Sequence, residues 1–252
     1  MRSSWKYVEG RELWKGKKAH GKKMSEMSNV RRTFANYARC LAMLENFAAS
    51  VRAEITACLE NDKFTNSATE GACVAKFACT SFAVDVCSVL RKTLGSQGLL
   101  EESGLGKSCF VCNATCAAEG DNTVMELKVV QDIIRGRTSV LPAGPAVLFT
   151  AAGRTAAANY AKYVGRAMLP RLHRYHYYYY YSLTHLPLSL RYFALAVWKG
   201  KAAIKDGQLL KDLAWTRCHL MVIEQWLAKG GDAAFLDSYA ATMMRYPTPV
   251  QF

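Results

Sequence analysis

The sequence predicts an all-α protein. Apolar residues recur at alternating steps of three and four, capping residues and glycines punctuate the chain where helices should start and stop, and no alternating pattern runs beyond four residues. The clearest run is Met27, Val30, Phe34, Tyr37, Leu41, Leu44, Ala48, Val51, Ile55 and Cys58, closed by Asn61 and Asp62. Such a seam requires a partner helix. Residues 67–94 supply it, with Ser67 and Glu70 as a capping box and Gly95 as the stop. A long antiparallel hairpin over about residues 27–94 follows.

Ahead of the hairpin, residues 1–26 show no sustained apolar period. They interleave Trp5, Tyr7 and Trp14 with Lys15, Lys17, Lys18, Lys22 and Lys23. This reads as a basic arm, whose aromatics between cations suit stacking on bases or lodging in a partner's groove. After the hairpin, residues 95–120 are rich in turn formers and carry a cysteine cluster. Thr123 and Glu126 form a second capping box, for a short helix that stops at Gly136. The first structured unit therefore spans residues 27–136.

Residues 137–205 form the next unit. From Ala146 to Leu169 the chain is helical by propensity, with Arg154, Lys162 and Arg166 on one side and Ala, Gly and Thr on the other. Small faces allow close backbone approach. From Tyr175 to Trp198 only Arg191 is charged. A helix of that length rises ~36 Å, against ~30 Å for a bilayer core. Arg171 and Arg174 before it, Lys199 and Lys201 after it, and aromatics at both ends, Tyr178 and Trp198 among them, match the belt of a membrane segment. His176, His185, Pro187 and the tyrosine hydroxyls fit a soluble Tyr-rich loop instead. The segment is thus a candidate transmembrane or membrane-inserted helix. In the last unit, residues 206–252, Asp206 caps a helix that runs to Gly230 and Gly231, and Asp232 starts another that ends before Pro247.

The chain is long enough to bury a full core, and 51% hydrophobic against 21% charged residues excludes wholesale disorder. The net charge of +13 is uneven: +7 over residues 1–32, −3 over 33–130 and +9 over 131–252. That distribution implies a polyanionic partner such as anionic lipid or RNA, or the acidic faces of neighbouring proteins. Nine cysteines, with no apolar leader near Met1, argue against a secreted disulfide framework.

Among chemistry-bearing groups, Cys109, Cys112 and Cys116 have a spacing that can grip a structural zinc ion, although a second pair and a His pair are missing. Register along the hairpin also pairs Cys40 with Cys87 and Cys58 with Cys73 as candidate clamps. Cys218 and His219 are adjacent, but neighbours on a helix point about 100° apart and form no dyad. No glycine-rich phosphate loop occurs, and no Asp or Glu lies between Asp132 and Asp206.

The expectation is therefore a non-catalytic accessory subunit of a membrane-embedded complex, plausibly of the respiratory chain in the mitochondrial inner membrane. Its contacts with other subunits and anionic lipid would come from Trp5, Trp14, Lys17, Lys18, Lys22, Lys23, Arg171, Arg174, Tyr178, Arg191 and Trp198. The alternatives are an RNA-binding component of an organellar ribosome and an enzyme with a zinc or redox centre at Cys109–Cys116. No cofactor is expected beyond that zinc.

Overall fold

The structure is a computed structural model that describes residues 1–15, 18–138, 150–172 and 207–244. In chain order its elements are α1 (Arg2–Gly10), strands β1 (Glu12–Lys15) and β2 (Lys18–Lys23), α2 (Ser28–Glu60) and α3 (Asn66–Leu94). Then come α4 (Leu105–Ala117), α5 (Asn122–Ile134), α6 (Ala151–Leu172), α7 (Gly207–Ala228) and α8 (Ala233–Met243). Among the described residues the fold is all-α apart from one two-stranded hairpin. Four helices close a ring in which α2 packs on α3, α3 on α5, α5 on α7, and α7 back on α2. The other four pack outside it, α1 and α4 on α3, α8 on α2 and α6 on α7.

The predicted seam of α2 is its buried face, with Val30, Phe34, Tyr37, Leu44 and Val51 all inside. Opposite it, Val74, Phe77 and Ala78 of α3 are fully buried. α3 has the N-cap Thr65, whose side chain accepts from the Ala68 amide at 3.0 Å, and it ends on Gly95 at φ +62°. Neither predicted capping-box glutamate caps a helix. Glu70 accepts two hydrogen bonds from Arg217 of α7, at 2.8 and 3.0 Å, and Glu126 accepts one from Trp215 Nε1 at 2.9 Å. The first-turn pattern was correct for helix position but not for role, because both carboxylates face α7 across the ring.

Burial raises the Glu126 carboxyl above the ordinary glutamate value of 4.5, and the Trp215 hydrogen bond only partly opposes it. The folded state then holds a proton over a pH window in which the unfolded chain has already released it. The resulting stability is complete below 4.5 and is lost as pH rises through the raised value. Glu126→Gln is expected to flatten stability between pH 4 and 7. Urea midpoints taken across that range check it.

The amino-terminal arm is a correction. Trp5 and Val8 of α1 pack together with Met1 just ahead of it, and Trp5 meets Phe34 edge-on at 5.0 Å. These side chains join Val30, Phe34, Leu90, Leu94 and Leu105 in a second small core. The Trp5 indole donates to Glu9, so the ring is built into the protein instead of being offered to bases. Strands β1 and β2 pair antiparallel, Trp14 opposite Ala19 and Lys15 opposite Lys18, although six residues of β2 lack any apolar alternation. Lys22 and Lys23 are exposed on β2. Lys17 lies outside the described residues, as do the side chains of Trp14 and Lys18.

Residues 95–120 also depart from expectation, since α4 occupies half of what reads as loop. The segment before it is a 3₁₀ turn over Gly95–Leu99, folded hard against the end of α3. A Cβ at Gly98 would stand 2.6 Å from the Arg91 carbonyl oxygen and 2.8 Å from its Cα. Backbone cannot give way as a side-chain tip can. Gly98→Ala is expected to cost about 1–3 kcal/mol, seen as a lower urea midpoint at unchanged slope.

The candidate membrane segment 175–198, with Tyr178, Arg191 and Trp198, lies outside the described residues, as does Arg174. Arg171 stands in the last turn of α6, its side chain not described. Among the described residues, the stretch long and apolar enough to cross a membrane is Asn66–Leu99, by length and composition only. It is α3 and the turn after it, and α3 lines the ring.

Candidate functional site

A cleft of about 350 Å³ opens where α2, α3 and α4 meet. α2 contributes Leu41, Leu44, Glu45 and Ala48, at helical steps along one face. α3 answers with Cys79, Phe82, Ala83, Val86 and Cys87, Cys112 is the α4 residue that reaches it, and Met1 lines it from the amino terminus. Small Ala48 and Ala83 leave the space that larger side chains would fill. The volume sits at the lower end of small-molecule sites.

Its chemistry is apolar. Glu45 is the one charged side chain in the lining. Burial pushes the Cys79 thiol up to about 11, and burial followed by the neighbouring Cys112 and Cys109 does the same to Cys87. Both are neutral thiols at physiological pH and poor nucleophiles. The cleft can hold a hydrocarbon chain or a flat apolar ring; none of its lining side chains is a cation, and Met1, which also lines it, brings the terminal ammonium near Cys87.

Next to it, the turn between α4 and α5 is fastened from within. Lys76 Nζ donates to the Cys116 carbonyl at 2.7 Å, the Gly120 carbonyl at 2.5 Å and Asn122 Oδ1 at 2.7 Å. Asn122 in turn donates to Thr80 and Ser81 of α3. Between these anchors Glu119 takes a left-handed backbone, φ +56°, and stands exposed. Lys76→Met removes the donor for three acceptors. It is expected to cost about 2 kcal/mol and to speed amide exchange over residues 117–122, measured by mass spectrometry.

The predicted metal ligands lie on α4 at helical steps. Cys116 Sγ donates to the Cys112 carbonyl at 3.4 Å, and Cys112 faces Cys87 with 3.9 Å between sulfurs. Among the described residues, no group of three His, Cys, Asp or Glu side chains is placed to hold a metal ion. The hairpin clamps are not formed either. Cys40 donates to the Ser238 carbonyl of α8 and Cys87 is turned to α4, so the two sit on faces with different neighbours. Cys218 and His219 are both buried, and the imidazole is engaged by the Tyr239 hydroxyl at 3.1 Å.

Comparison with known families bears on the same helices. Residues 24–134 are similar to the C-alpha1 domain of acyl-CoA oxidase. The matched stretch takes in α2 to α5, three of the four ring helices together with α4, and is rather less than half of the chain. No curated protein and no solved structure matches. The similarity corrects the expectation that the chain is not an enzyme, because the matched domain belongs to an enzyme family, and it lends no support to an accessory role in a membrane complex. A catalytic constellation fails to show in sequence where a cofactor carries the reaction and the protein supplies binding and orientation. Acyl-CoA oxidases normally use FAD. The cleft does not fit that cofactor whole, since its lining side chains hold one carboxylate and no arginine or lysine for the diphosphate.

The cleft itself escaped the sequence reading. Its signal was present in the opposed alanines at positions 48 and 83, but only the hairpin register brings them together.

Proposed function

We propose that the chain serves as the helical bundle of an acyl-CoA oxidase-type enzyme, with the cleft between α2, α3 and α4 receiving the hydrocarbon part of an acyl-CoA thioester. The similarity of residues 24–134 to the acyl-CoA oxidase C-alpha1 domain carries this reading. The apolar lining supports it, and the +13 charge of the chain suits the phosphates of the CoA moiety. Flavin phosphates would be held elsewhere, by groups outside this cleft.

Calorimetric titration of the full chain with palmitoyl-CoA, octanoyl-CoA and free CoA tests it. Each buried methylene contributes about 0.8 kcal/mol, so affinity should climb steeply with chain length and free CoA should bind at least 100-fold more weakly than palmitoyl-CoA. Ala83→Phe, which fills the cleft, is expected to weaken palmitoyl-CoA by tenfold or more with unchanged helicity. Equal affinity for all three ligands, or none for any, would overturn the proposal.

A further inference from the structure

The wall of the cleft contains two thiols that face each other across a helix interface. Cys87 of α3 and Cys112 of α4 have sulfurs 3.9 Å apart, and both line the cleft. A disulfide needs about 2.05 Å, a closure that side-chain rotation and a small helix shift can supply. The two residues belong to helices that pack closely along their length, and Cys112 is the α4 side chain that reaches the cavity. Cys112 is also partly exposed while Cys87 is buried, so an oxidant arriving from solvent meets Cys112 first.

We infer that Cys87 and Cys112 form an oxidation site, at which hydrogen peroxide cross-links α3 to α4 and closes the cleft to apolar ligands. In the first step the Cys112 thiolate attacks peroxide. A sulfur–oxygen bond forms, the oxygen–oxygen bond breaks, and hydroxide leaves and takes up the thiol's proton as water. Cys87 sulfur then attacks the Cys112 sulfenic sulfur. The sulfur–sulfur bond forms, and the hydroxyl departs with the Cys87 proton as a second water. Two thiols supply two electrons to one peroxide. Burial pushes the Cys87 thiol up, so it is not the point of first attack; its place 3.9 Å from the Cys112 sulfur makes it the resolving partner, which gives up its proton as the sulfur–sulfur bond forms. An oxidase releases peroxide by its own turnover, so under the proposed function the product would act back on the substrate cleft. Added peroxide makes the test independent of that reading.

Full-length protein would be treated with a few equivalents of hydrogen peroxide, digested without reduction and mapped by mass spectrometry. In parallel, an environment-sensitive apolar dye would report cleft binding before and after. The expected result is a Cys87–Cys112 cross-link, a fall in dye affinity of fivefold or more, and recovery of both with dithiothreitol. Cys112→Ser should lose both responses, and Cys109→Ser should keep them. If Cys112→Ser fails to fold, iodoacetamide blocking of the folded wild-type protein gives the same comparison. A cross-link to Cys109, no cross-link at all, or a Cys87–Cys112 cross-link with unchanged dye affinity would each overturn the inference. Loss of palmitoyl-CoA binding in unoxidised protein would instead count against the proposed function alone.

Discussion

Arg217→Met is expected to destabilise the fold by about 3–5 kcal/mol, lowering the urea midpoint by roughly 1–2 M. Arg217 and Glu70 are both nearly inaccessible, and their forked pairing is the polar tie between α7 and α3. Removing the cation leaves a buried carboxylate in the ring with no charge to answer it. Methionine at both positions should recover most of the loss, because neither desolvated charge then remains. A double variant as weak as the single one would mean that the pair does more than cancel its own burial.

Phe77→Ala should have an effect of similar size, about 3–5 kcal/mol, for a different reason. Phe77 is fully buried on α3 and meets Trp215 of α7 edge-on at 5.1 Å. Truncation leaves a void at the ring centre and strips Trp215 of one wall. Tryptophan emission should move to longer wavelength in the native baseline, while Phe77→Leu, which keeps most of the volume, should lose far less. An unshifted baseline in Phe77→Ala would mean that the ring collapses onto the gap.

Much of this architecture is legible in the residues. The α2 seam, the Gly95, Gly136 and Gly230 stops and the Asp232 cap all act locally, so a single strand of sequence carries them. What escapes is whatever depends on a partner far along the chain. Glu70 and Glu126 look like first-turn caps until α7 arrives with Arg217 and Trp215. The amino-terminal arm looks soluble because α1 buries only a narrow face, and its partner Phe34 is a residue of the hairpin. α4 was hidden by its own exposure. Leu105 is its one buried residue, and Phe110 and Val111 point outward, so it lacks the one-sided pattern by which helices are recognised. The cleft needs three helices in register, and the function needs a family resemblance that no spacing of acids, bases or thiols announces.

Closure of the ring by α7 also sets a timing problem for the growing polypeptide. The last residue of α5 and the first of α7 are separated by about 70 positions. At the pace of translation that is an interval of roughly 4–14 s during which three helices have emerged without the fourth. Phe77, which packs on Trp215 of α7 in the finished fold, lacks that wall throughout the wait. A folding helper that shields such surfaces, or slower synthesis across that stretch, would govern how much of the product reaches its native state.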